Sequence, residues 1–132
     1  MRWADQLIKL SNFELELLQI RLADVVERRE RAEMKFVVLT AEGEAETEFA
    51  RADAEASRSL AAFREGLKLR KAAIQREIDL ALVEESGARE ALAEAFETLK
   101  KYEHVAEANR VAVARETAVL DEMGLRRAAG RR

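Results

Sequence analysis

Apolar residues recur in steps of three and four through Ile8, Ser11, Leu15, Leu18, Leu22, Val25, Arg29, Ala32, Phe36 and Leu39, and eight of these ten positions are apolar. A stripe with a 3.5-residue period, sustained over this length, predicts a helix that packs along its seam against another helix. Trp3, Leu7, Leu10 and Leu17 form a second stripe beside it, widened by Phe13 and Ile20. One partner helix cannot cover so much of the circumference, so this end reads as a docking surface or a helix end held in a further contact.

After Leu39 the large apolar residues thin out. The run from Thr40 to Glu48 is acidic and nearly faceless, with Phe49 its only large neighbour before Leu60. Ala and Glu keep helix propensity high there, so the helix continues as a solvated stretch. The next break is Asp53-Ala54-Glu55-Ala56-Ser57-Arg58-Ser59, where Ser57 or Ser59 can cap a new helix. Beyond it a second seam reads Gln75, Ile78, Leu82, Glu85, Arg89, Leu92, Phe96, Leu99, Glu103 and Ala106, six of ten apolar.

Folding the chain back on itself about Ser57 matches the two seams. Ile8 then faces Ala106, Leu15 Leu99, Leu18 Phe96, Leu22 Leu92, Ala32 Leu82 and Phe36 Ile78. Arg29 meets Glu85 and Ser11 meets Glu103, while Val25 against Arg89 and Leu39 against Gln75 are mismatches. A polar layer inside such a seam pins the register. The expected fold is all-α, a long antiparallel two-helix coiled-coil hairpin with its turn near residues 53–59. It forms a single domain over 1–132: helix 3–53, turn 54–59, helix 59–124 and a basic tail 125–132. Residues from Val113 onward overhang the first arm and carry Val119, Leu120, Met123 and Leu125, then the arginines 126, 127, 131 and 132.

Composition supports this reading. The 132 residues contain no proline, 37% charged residues and only 5% aromatic ones, a balance typical of long helices rather than a thick globular core. No strand or tight hairpin signal appears. A net charge of −3 offers no broad basic face for nucleic acid. The absence of cysteine excludes disulfides and thiol chemistry. No apolar run is long enough to span a bilayer, and Asp5 and Glu14 interrupt any signal-peptide core. The expected location is the cytoplasm.

Catalytic constellations are missing. His104 is the sole histidine, and the di-iron Glu-x-x-His pattern fails at Lys101. No Gly-rich phosphate loop or nucleophile elbow is present, and a two-helix hairpin has no pocket in which to shift a carboxylate's pKa. No enzyme activity, cofactor or metal is expected.

The layout resembles the FliJ family, the soluble coiled-coil component of the bacterial flagellar type III export apparatus. The likeness rests on the Leu-rich arm from Leu7-Ile8-Lys9-Leu10 to Leu22 and on the Ser-containing turn. It extends through Ser59-Leu60-Ala61-Ala62-Phe63-Arg64-Glu65-Gly66-Leu67, Ala73-Ile74 and the arm from Ala91 to Glu107. The opening Met1-Arg2-Trp3-Ala4-Asp5 is similar to the divergent alphaproteobacterial branch.

The resemblance implies a stalk that inserts into the ring of the flagellar export ATPase, with contacts to that hexamer and its regulator, to the export-gate protein FlhA and to export chaperones. It implies cytoplasmic residence, peripheral to the inner membrane at the flagellar base, through partners only. The ATPase-binding tip would be Trp3, Leu7 and Leu10 with Val119, Leu120 and Met123. The gate-binding face would be Phe63, Leu67, Ala73 and Ile74, although Gly66 and Arg70 stand where the family can carry larger apolar groups. Two other classes fit the residues: a homodimeric coiled-coil spacer, and an RNA- or membrane-surface adaptor acting through the tail from Arg126 to Arg132.

Overall fold

A computed structural model describes residues 2–130, apart from the side chain of Ala129. Two helices account for all of these but one residue: α1, Arg2–Ala52, and α2, Ala54–Gly130. They pack against each other antiparallel, so the fold is the all-α coiled-coil hairpin expected. No strand occurs among the described residues.

The break is tighter than the 54–59 turn. Asp53 alone leaves the helical conformation, and its Oδ1 accepts a hydrogen bond from the Glu55 N–H at 2.9 Å. Its carbonyl accepts the Ser57 N–H at 3.0 Å. An aspartate that satisfies the exposed donors of the first turn is an efficient N-cap. Helix α2 therefore begins at Ala54 rather than residue 59, and Ser59 spends its hydroxyl on the Ala56 carbonyl at 3.1 Å. At the far end α2 runs through 125–130, where a tail was expected, and Arg126 is tied to Glu122 at 3.0 Å. Arg131 and Arg132 lie outside the described residues.

The chain divides into two compact units. Gln19–Glu90 forms one. Its α1 seam is Leu22, Val25, Arg29, Ala32, Phe36 and Leu39, as the periodicity predicts, and it continues to the turn through Gly43, Thr47 and Ala50. That continuation is built of small residues, which is why the stretch looks faceless in sequence. At Gly43 the backbone lies so close to α2 that a Cβ would strike the Leu67 side chain, so Gly43 and Leu67 are level. Both helices carry two successive four-residue steps here, Leu39-Gly43-Thr47 and Phe63-Leu67-Lys71. Matched insertions of this kind locally unwind the supercoil and keep the two seams in phase.

The α2 seam of this unit differs from the expected one. It runs Ile74, Ile78, Ala81, Glu85 and Ala88, with Ala88 0% exposed, whereas Leu82 is 46% exposed. Ile78 and Glu85 keep their places, but Gln75, Leu82 and Arg89 each yield to the residue before. Carrying level pairs on from Gly43 and Leu67 puts Phe36 against Ile74, Ala32 against Ile78, Arg29 against Ala81 and Val25 against Glu85. This is one helical turn away from the register that sequence matching favours. The reason is charge. Burying Leu82 would gain about 1.5–3 kcal/mol at most, while drawing Arg89 and Gln75 into the seam incurs a desolvation penalty of several kcal/mol.

Residues up to Leu18 and from Ala91 onward form the other unit. Ala4, Ser11 and Leu15 are buried on α1, with Ile8 and Leu18 half-buried. Opposite them Leu99 is buried, and Leu92, Ala95, Tyr102 and Ala106 are half-buried. Phe96, expected in the seam, is 51% exposed and lies under the Lys100 ammonium, 5.3 Å from its ring centre. Glu103 is likewise outside, its seam place taken by Tyr102, for the same electrostatic reason.

Candidate functional site

In the unit built from the N-terminal part of α1 and the C-terminal part of α2, Ala4, Ile8, Ser11 and Leu15 turn towards α2. Heptad geometry then points Trp3, Leu10, Phe13 and Leu17 outward. Trp3 is 55% and Leu10 62% exposed, and Leu7 is half-buried at the flank. From Ala112 to Ala128 every α2 residue is exposed, so the overhang is real. Val113 and Leu120 follow Ala106 at seven-residue spacing and therefore continue the seam face where no described part of α1 covers it. Val119 and Met123 lie beside them, also exposed. All six residues expected at the tip thus fall in one unit, five exposed and one half-buried. Phe13 and Leu17 belong to the same outward face, and the second apolar stripe signals both.

The other expected surface is less open. In the unit Gln19–Glu90, Phe63, Leu67 and Ile74 are half-buried at seam positions, and only Ala73 is exposed. Ile74 borders a shallow groove of about 460 Å³ with Met34, Val38 and Leu39. Phe49, four residues before the break, and Leu69, further along α2, are exposed; neither belongs to the seam that periodicity picks out.

The polar centre of that unit is an ion-pair cluster. The Arg29 Nε donates to Glu85 at 2.6 Å and its Nη1 to Glu33 at 3.0 Å, while the Arg89 Nη2 donates to Glu85 at 2.9 Å. The Arg29 guanidinium, and then Arg89, hold the Glu85 carboxyl below the usual carboxylate range. Hydrogen bonds to Glu85 and Glu33 raise the Arg29 pKa in return. Because the Glu85 pKa is lowered on folding, its stabilisation is complete above the unfolded-state pKa and is lost as pH falls through the folded value. The acid side of a pH–Tm curve is therefore expected to flatten in Glu85→Gln relative to wild type, measured between about pH 3 and pH 5 around the ordinary carboxylate pKa. Parallel curves would show that the pair does not couple to folding.

Among the described residues no group of three or more His, Cys, Asp or Glu side chains could hold a metal, and His104 is exposed. No helix of the described residues is long and apolar enough to cross a membrane.

Two curated relatives decide the family. Each is a "Flagellar FliJ protein" of Caulobacter vibrioides, one from strain NA1000 / CB15N and one from strain ATCC 19089 / CIP 103742 / CB 15. Each is 48% identical over 133 residues that cover 97% of this chain and 96% of the relative. The chain belongs to the FliJ family. The likeness covers nearly the whole length of both chains, as the resemblance in the residues implies. No family model matches the chain. No solved structure matches it either.

Proposed function

We propose that this FliJ-family chain is a non-enzymatic component of the flagellar protein export apparatus, a stalk-like coiled coil that binds the export ATPase ring and couples it to the export gate. The observation that carries the reading is the uncovered apolar surface of Trp3, Leu7, Leu10, Val119, Leu120 and Met123. Apolar side chains left over after a seam is complete favour association with another protein. The ring of the ATPase hexamer is the partner the family relationship suggests, and the ATPase regulator and export chaperones are further ones. The gate-protein contact with FlhA is assigned to Phe63, Leu67, Ala73 and Ile74, supported by the apolar groove beside Ile74. The chain then works in the cytoplasm at the flagellar base, held near the inner membrane by its partners.

Leu7→Asp combined with Leu10→Asp is expected to leave helix content by circular dichroism unchanged. It should weaken ATPase binding by about 100-fold, since two apolar contacts of about 1.4 kcal/mol each correspond to that factor. Undiminished co-sedimentation with the ATPase would sink the reading. The rival, a homodimeric spacer, needs the α1 seam to seek a second copy, yet Val25 and its neighbours are already covered by α2.

A further inference from the structure

We infer that α1 carries a second interface on the side opposite its seam, through which two copies of this chain pair about a two-fold axis with their α1 helices antiparallel. This interface is separate from the export role proposed above and uses none of the residues assigned to the tip.

Arg31, Met34, Val38, Ala41, Ala45 and Glu48 follow one another in steps of three and four, turned away from α2, and all six are exposed. They form a second stripe along α1 whose four middle positions are apolar and whose ends are charged. Met34 is 63% and Val38 47% exposed. The stretch after Leu39 thus has a face after all, made of alanines and directed outward. The groove of about 460 Å³ beside Ile74 opens on the same side, with Arg31, Met34, Lys35, Val38 and Glu42 in its lining.

Charge identifies the occupant. Arg28, Arg31 and Lys35 precede the apolar centre, whereas Glu42, Glu44, Glu46 and Glu48 follow it. A face that is basic at one end and acidic at the other is complementary to its own antiparallel copy. Among the described residues Glu30, Glu42, Glu44 and Glu46 enter no salt bridge. Glu42 with Glu46, and Glu44 with Glu48, are like-charge pairs one turn apart, an arrangement that weakens a helix unless a cation lies opposite.

One register satisfies the whole face. With Val38 of one copy against Ala41 of the other, and Met34 against Ala45, large meets small in every central layer. Arg31 then faces Glu48. At the flanks Lys35 lies beside Glu42, Glu30 beside Arg51, and Arg28 beside the exposed ring of Phe49, where a guanidinium is attracted. Two-fold symmetry repeats each contact. A shift of one heptad destroys the match: in one direction Lys35 meets Lys35 and Glu30 meets Glu44, and in the other Glu42 meets Glu42 and Glu44 meets Glu44. The bond that Lys35 would relinquish, to Glu77 at 3.9 Å, is exposed at both ends and contributes little. Met34 and Val38 also border the groove beside Ile74, so this pairing competes with the gate contact proposed there.

Sedimentation equilibrium of the full-length chain, up to about 100 μM, tests the pairing, with circular dichroism to verify that each variant keeps its helices. Wild type is expected to show a monomer–dimer equilibrium, and Val38→Glu to weaken it by at least about tenfold. Lys35→Glu and Glu42→Lys each create two like-charge contacts, and each is expected to weaken association by at least about tenfold. All three positions are exposed, so the hairpin itself tolerates the changes. Mixed in equal amounts, the two charge-reversal variants should form a heterodimer at wild-type strength, since each reversed charge then meets its opposite. A wild type that stays monomeric, a dimer indifferent to Val38→Glu, or a mixture no stronger than its components would overturn the proposal. No export protein takes part, so the outcome bears on this interface alone.

Discussion

Val25→Asp is expected to destabilise the protein by about 3–5 kcal/mol, the range for a charge buried without its own partner. Val25 is 1% exposed and is the largest side chain so fully enclosed among the described residues. The substitution loses roughly 1.5–2 kcal/mol of valine burial. It also places a carboxylate level with Glu85, whose oxygens already take Arg29 and Arg89. The new carboxylate is repelled by Glu85 and can draw on Arg29 only by stripping Glu85 of its partner. Set against a typical net stability of about 5–15 kcal/mol, the loss is severe. Urea unfolding followed by circular dichroism measures it, and a change under about 1 kcal/mol would mean that Val25 does not sit in the seam.

The second large effect distinguishes the observed α2 seam from the one that sequence matching favours. Ala88→Leu adds bulk where a side chain is 0% exposed, and overpacking of this kind costs about 1–3 kcal/mol. Phe96→Ala removes a large aromatic, yet the ring is half exposed and the change should cost under about 1 kcal/mol. With Phe96 in the seam the order would reverse, because a phenylalanine deleted from a core costs about 3–5 kcal/mol. Thermal melts of the two variants side by side decide the matter.

The α1 seam was legible residue by residue from Ile8 to Leu39, where large apolar residues keep three-four spacing, but not through Gly43, Thr47 and Ala50, which offer no large side chain. The α2 seam was not legible. Its true members include Ala81, Ala88 and Ala95, which a reading weighted by side-chain size passes over in favour of Leu82 and Phe96. What decides the phase is the cost of burying Arg89, Gln75 and Glu103, a term that periodicity does not weigh. Asp53 is a related case: the sequence reading offers Ser57 or Ser59 as the cap, and Asp53, nearer α1, takes that role instead. The exposure of Trp3, Leu10 and Leu17 was legible because they are surplus to the seam. Phe63, Leu67 and Ile74 were harder to place, since exposure after the turn depends on a register that only the Gly43–Leu67 approach reveals.

The run of small seam residues beside Asp53 also bears on how the hairpin forms. Contacts such as Ala50 with Leu60 close a loop of roughly ten residues, while Phe36 with Ile74 closes one of roughly forty, and the difference in closure entropy is only about 1.2 kcal/mol. The early contacts bury little apolar surface, so zipping from the turn gains almost nothing until it passes Gly43. The rate-limiting ensemble is then expected to contain the Phe36–Ile74 region with the turn already closed, which makes folding speed sensitive to Phe36 and nearly indifferent to Ala50.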